Sequence, residues 1–109
     1  MKKGVLIVIC IVLVTIPLVW FIQSSPKKIT LNKVALHATA TDCWMAINGN
    51  VYDATAYIAS REHPGGAEIL KGCGTDATSL YDARPADGKP HSANAREELQ
   101  QYYIGTLSQ

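Results

Sequence analysis

The sequence predicts a small α+β domain preceded by one apolar helix of membrane-spanning length. Three observations carry that expectation. The chain has 109 residues, and 16 of the 19 from Gly4 to Ile22 are hydrophobic with none charged. Beyond them, short helix-like and strand-like apolar runs alternate, punctuated by glycine and proline. From Val34 to Gln109 there are only 13 large apolar side chains (Val, Ile, Leu, Met, Trp) and no phenylalanine. A domain of that size buries little of its surface, so something besides its own side chains is expected to complete the core. The same arithmetic excludes a multidomain enzyme, a disulfide-dense mini-protein and a polytopic membrane protein. The net charge of +1 gives no support to a nucleic-acid binder.

Lys2 and Lys3 form a basic N-terminus, residues 1–3, ahead of residues 4–22. Nineteen residues at about 1.5 Å each span roughly 28 Å, close to the hydrocarbon thickness of a bilayer. Two readings stand. The run is longer than a secretory signal core and closes on Trp20-Phe21-Ile22, side chains suited to a membrane interface, which favours an uncleaved anchor. Small residues at Ser24-Ser25 would allow a cleaved signal instead, leaving a secreted or periplasmic domain. Cys10, inside the run, reads as a small apolar residue. The basic residues on the two sides nearly balance, so the short, export-like N-terminus decides: its end stays in the cytoplasm and the domain is exported, periplasmic and single-pass. Residues 23–29 form a linker, and residues 30–109 the domain.

Along the domain, Thr30 can cap a helix whose Leu31, Val34 and Ala35 share one face. Trp44–Ile47 and Val51-Tyr52 flank Asn48-Gly49-Asn50, a strong hairpin signal. A brief helix is expected from Thr55 to Ser60. His63-Pro64-Gly65-Gly66 must turn, because proline stops a preceding helix and the glycines free the backbone. A short helix over Ala67–Lys71 is stopped by Gly72, and Thr75 can cap another from Asp76 to Tyr81. Ala83–Pro90 reads as a loop. Ser92 then caps a helix carrying Ala95, Leu99 and Tyr102.

The domain holds three histidines. His37, near a helix C-terminus, suits the negative end of the helix dipole and needs no further role. His63 and His91 differ, for each stands at the mouth of a loop beside a helix, and His63 opens a Pro-Gly-Gly run that would let a flat, bulky group approach the backbone. Two such loops facing each other make a cleft with an imidazole on each wall.

These residues resemble the cytochrome b5-like haem-binding domain, from Thr30 to Leu107. Asp42–Asp53 is similar to that family's first hairpin, His63-Pro64-Gly65-Gly66 to its hallmark, Gly74–Thr78 to its central loop and helix start, and His91-Ser92 with Tyr103–Leu107 to its closing segment. The resemblance implies a short mixed sheet with two helix pairs forming a haem cleft. It implies haem b (iron protoporphyrin IX), bound non-covalently with His63 and His91 as axial iron ligands. No Cys-x-x-Cys-His run is present for covalent attachment. It further implies Pro64, Gly65 and Gly66 at the cofactor, Leu70, Leu80 and Tyr81 lining the pocket, with Tyr81 where phenylalanine is usual, and Ser92 at a propionate. Each ligand should donate its second ring N–H to a backbone carbonyl, and the glycines of the turn could supply such carbonyls.

Iron held by two imidazoles has no open position, so the implied function is a non-enzymatic, membrane-tethered carrier of single electrons. Its partners would be redox proteins, donor and acceptor, and the lipid bilayer through residues 4–22, with no nucleic acid and the domain monomeric. The sequence departs from the animal members where they carry paired acids: Ala67-Glu68 leaves one charge. Ala59–Glu62 and Ala83–Pro90 are also longer loops than usual there, the second being either part of a different docking rim or a tolerated insertion. Cys43 and Cys73 are expected to form a disulfide, as in some bacterial exported members, against the alternative of two buried free thiols. Other readings are a haem- or ligand-binding module without redox duty, like the steroid-binding relatives that lack the histidine pair, a structural zinc site, and a stand-alone enzyme. Zinc fares worse because neither cysteine has a usual ligand spacing from a histidine. No nucleophile–base pairing supports an enzyme.

Overall fold

The computed structural model describes residues 24–109. The basic N-terminus, the apolar segment 4–22, Cys10 and the first residue of the expected linker lie outside the described residues. Among the described residues no helix is long and apolar enough to cross a membrane.

A curled, mixed six-stranded sheet organises the domain. Its strands are β1 (Lys28–Thr30), β2 (Ala38–Thr39), β3 (Asp42–Ile47), β4 (Asn50–Asp53), β5 (Thr75–Asp76) and β6 (Tyr103–Ser108), in the order β1-β6-β4-β3-β2. β5 pairs with β3 in parallel through Met45 and Ala46, on the edge where β2 takes Asp42 and Cys43. The hairpin of β3 and β4 turns on Asn48 and Gly49, at φ 50° and 80°. Two successive positive φ values match the right-handed twist of the strands, which is why Asn-Gly serves there.

Alternation along β3 sorts the core into two faces. Cys43, Met45 and Ile47 join Tyr52, Ala54, Cys73 and Ala77 on one face, against which Ile58, Ile69, Tyr81, Leu99 and Tyr102 pack. Ala46 joins Ile29, Val34 and Val51 on the other, backed by Trp44, Ile104 and Leu107. The first face carries the helices α2 (Thr55–Ser60), α3 (Thr78–Asp82) and α4 (Ala93–Gln100) and a 3₁₀ helix over Gly66–Gly72. The second carries β1 and α1 (Leu31–Ala35).

Several expectations are corrected. The segment after the Pro-Gly-Gly turn is 3₁₀ and starts at Gly66. Thr75 does not cap a helix: it lies in β5, and its hydroxyl donates to the Gly72 carbonyl at 2.9 Å. Asp76 instead meets the Thr78 amide at 3.1 Å, at the entry to α3. Tyr102 lies past the end of α4, and on α1 only Val34 is buried. Thr30 and Ser92 do cap, accepting from Lys33 and Ala95 at 3.2 Å each.

Cys43 and Cys73 are joined by a disulfide, Cα atoms 4.8 Å apart and 30 residues apart in sequence. It ties the sheet to the end of the 3₁₀ helix. A closed loop of that length stabilises by about 3–4 kcal/mol in the chain-entropy model. Cys43→Ser with Cys73→Ser is therefore expected to lower the unfolding free energy by about that amount in urea titration. Thiol counting on the denatured, unreduced full chain should find Cys10 alone; three reactive thiols would overturn the pairing.

Candidate functional site

The two loop-mouth histidines meet across the helical face. His63 leaves the loop after α2, whose last turn closes on Arg61 at φ 58°, and His91 leaves the loop before α4. Their ring centroids are 6.5 Å apart and the planes differ by 26°. Two metal–imidazole bonds of about 2 Å plus two ring radii of about 1.1 Å come to about 6.2 Å, so the separation is of the size that one metal ion between the rings would need.

The hydrogen bonds fix which nitrogen is left free. His63 Nδ1 is 3.0 Å from the Gly66 carbonyl, and His91 Nδ1 is 2.7 Å from the Tyr81 carbonyl. A carbonyl only accepts, so each Nδ1 carries the proton and each Nε2 keeps its lone pair, the form a metal ligand needs. The turn's own Gly66 supplies one carbonyl, as the sequence suggests. The other comes from Tyr81, which also takes the His91 backbone N–H at 3.1 Å, and that role is not visible in sequence.

Tyr81 also packs against His91. Its ring lies flat on His91, centroids 4.2 Å apart and planes within 3°. Its hydroxyl is buried with no hydrogen-bond partner among the described residues. Burial raises the Tyr81 phenol above its ordinary value, with Arg96 pulling the other way. Tyr57 stands beside the other histidine, edge-on to His63 at 6.2 Å. Burial, then Glu98 and Glu62, raise its phenol. Sequence reading missed Tyr57, whose only signal was an aromatic residue on the helix leading to His63.

Pro64, Gly65 and Gly66 form the turn as expected. A Cβ on Gly65 would stand 2.8 Å from His63 Cε1 and 3.3 Å from its Nδ1. The backbone there has φ −80°, which alanine adopts freely, so the demand for glycine comes from the ring alone. Gly65→Ala is thus expected to displace His63 and weaken haem retention about 10–100-fold, the usual cost of disturbing a ligand's support. Transfer to apomyoglobin measures this, and unchanged retention would show the ring is not held by that contact.

A hollow of about 320 Å³ beside His63 is lined by Ile58, Ala67, Ile69 and Leu70, and Leu70 is 38% exposed. A hollow of about 390 Å³ between α2 and β6 is lined by neither histidine. The first is the one that touches the histidine pair, through His63, and Leu70 lines it as expected; His91, Leu80, Tyr81 and Ser92 do not line it. Leu80 is half-buried on α3, and Ser92 is exposed, its oxygen engaged in capping while its hydroxyl hydrogen stays free to donate.

The rim carries less acid than its composition suggests. Glu68 is paired with Lys71 at 2.6 Å. The loop before His91 is stapled by Arg84 and Asp87 at 2.5 Å and by Arg84 N–H to the Lys89 carbonyl at 2.9 Å. The Lys89 backbone N–H, and then Arg84, hold the Asp87 carboxyl below its ordinary value. His37 lies apart, stacked on Trp44 at 3.6 Å and 2.7 Å from Asp42. Among the described residues no cluster of three or more His, Cys, Asp or Glu could hold a metal ion. With Cys43 and Cys73 bonded to each other, the zinc reading has no ligand set there.

Residues 30–108 match the model of the cytochrome b5-like heme/steroid binding domain. The chain is 44% identical over 80 residues to soluble cytochrome b558 of Ectothiorhodospira shaposhnikovii, covering 73% of this chain and 86% of that protein. It is 46% identical over 89 residues to cytochrome b5 type B of Rattus norvegicus, covering 78% of this chain and 56% of the relative. A nitrate reductase of Volvox carteri aligns at 46% identity over 75% of this chain but only 9% of its own length. Among solved structures, cytochrome b558 of Ectothiorhodospira vacuolata superposes with a TM-score of 0.69 at 44% identity, covering 76% of this chain and all of that one.

Proposed function

The chain belongs to the cytochrome b5-like haem-binding family, electron-transfer proteins with non-covalent haem b, and from that premise we propose that it is a membrane-tethered b-type cytochrome passing single electrons through haem held by His63 and His91. The observation that carries this is the facing imidazole pair, 6.5 Å apart, with both Nδ1 atoms on backbone carbonyls. Such a pair leaves no room for oxygen or substrate at iron, which also argues against a ligand-binding module without redox duty.

Haem supplies a one-electron iron couple when bound. The protein's part is to keep both ligands still while charge changes. The Gly66 and Tyr81 carbonyls hold the two Nδ1 protons and strengthen each Nε2 as a donor. The Tyr81 ring fixes the plane of His91, and Tyr57 walls the His63 side. Residues 4–22 would anchor the chain, with the domain exported and redox proteins as its donor and acceptor.

Reduction of the haem-loaded full chain under carbon monoxide tests the carrier reading. A reversible one-electron, low-spin change with no carbon monoxide bound is expected, and stoichiometric binding at iron would overturn it. Protease added to intact spheroplasts should digest the domain; protection there would contradict export.

A further inference from the structure

The face of the sheet away from His63 and His91 carries an unexplained pair of features. Leu36 is 72% exposed and Leu31 43%, both at α1, whose helix buries only Val34. Around them lie Lys27, Lys28 and Lys33, all exposed. From Ser24 to Thr41 there is no acid at all, whereas residues 42–109 hold nine acids against five Lys and Arg. The domain is electrically polarised, with its uncompensated positive charge gathered beside its exposed leucines.

Chain length limits where this face can go. The Lys27 carbonyl already accepts from Thr106 at 2.8 Å, so the folded domain begins there. Only residues 23–26 separate it from the apolar segment ending at Ile22, and four residues reach at most roughly 14 Å. We infer that α1, with Leu31, Leu36, Lys27, Lys28 and Lys33, is a docking surface for an anionic lipid bilayer, holding the haem cleft on the opposite face away from the membrane. This rests on the reading that residues 4–22 lie in lipid. The leucines enter the headgroup layer and the lysines meet lipid phosphates, the pattern of an interfacial anchor. The short tether keeps the surface at high effective concentration near the bilayer, so a small patch suffices. The cleft, carried by α2–α4 on the other face, stays open to a partner in water.

The test uses the full chain on a Cys10→Ser background, loaded with haem, in phosphatidylcholine vesicles containing phosphatidylserine. Nitroxide labels are placed through Leu36→Cys and, on the exposed surface of α4, Glu97→Cys. The Leu36 label is expected to collide with dissolved oxygen several-fold more than with a water-soluble nickel chelate, and the Glu97 label the reverse. Each of Lys27→Gln, Lys28→Gln and Lys33→Gln should lower the docked-to-undocked ratio about fivefold, and high salt should act alike. If the chain floats with the vesicles while both labels are equally open to the chelate, docking fails and the anchor stands. A chain that does not float overturns both. Spin–spin broadening between Leu36 labels would assign the face to a second copy of the chain and overturn lipid docking.

Discussion

Replacing either His63 or His91 by alanine is expected to abolish the low-spin spectrum of the haem-loaded protein and to open a coordination position that binds carbon monoxide. In the proposed ligation each ring would supply one of two lone pairs, and the aromatic neighbours among the described residues are Tyr57 at His63 and Tyr81 at His91. The loss of haem affinity should exceed the roughly 10–100-fold attached to a ligand's supporting contact. The two variants should differ in their effect on the protein. His91→Ala also removes the ring stacked on Tyr81 and one of two donors to the Tyr81 carbonyl. His63→Ala leaves the Gly66 carbonyl at an exposed turn that water can reach. Haem-free His91→Ala should therefore melt lower than haem-free His63→Ala. Absorption spectra with and without carbon monoxide decide the first point, and a variant that keeps a six-coordinate spectrum would refute the assignment of its ligand.

The second large effect is on stability: removing haem should lower the melting temperature by on the order of 15 °C or more. A ligand that binds only the folded state at a thousandfold its dissociation constant contributes about 4 kcal/mol. In a domain of this size each kcal/mol moves the midpoint by about 4–8 °C. The core shows why so much depends on it. On the histidine side its buried members include Cys43, Ala54, Cys73 and Ala77, with Met45, Ile47 and Tyr52 as the larger side chains. Leu70, beside His63, stands 38% exposed. Apolar wall is present there without an apolar filling from the chain, which is the space a flat macrocycle would take. Calorimetry on the protein with and without haem measures the difference, and equal midpoints would mean that the thin core is self-sufficient.

Much of this was legible in the residues because it is local. Asn48-Gly49 demands a two-residue turn, Thr30 and Ser92 offer side-chain oxygens to the amides that follow, and His63-Pro64-Gly65-Gly66 forces a break with an imidazole at its mouth. The misreadings share one cause. Thr75 and Asp76 look like the start of a helix, yet their backbone is claimed by Met45 and Ala46, thirty residues earlier. β1 and β2 have no strong pattern of their own and exist because β6 and β3 present open edges. Leu31 looks like a core residue by spacing, but α1 is too short to bury more than Val34.

The site divides the same way. By itself the sequence set two histidines at loop mouths beside helices, showed that the domain lacks large apolar residues, and concentrated the apolar surplus in one segment. These follow from residue type and spacing, which need no third dimension. Only the tertiary structure decided that the two imidazoles face each other 6.5 Å apart, that the Tyr81 carbonyl rather than a second turn glycine orients His91, and that Tyr57 and Tyr81 flank the pair. It also decided that Leu31 and Leu36 stay exposed at α1, beside the exposed Lys33, on the element that packs against the face opposite the histidine pair. Separations along the chain of ten to thirty residues carry no distance information until sheet pairing and the disulfide close them. Once closed, the geometry of a backbone carbonyl and an aromatic ring does what the motif alone could only imply.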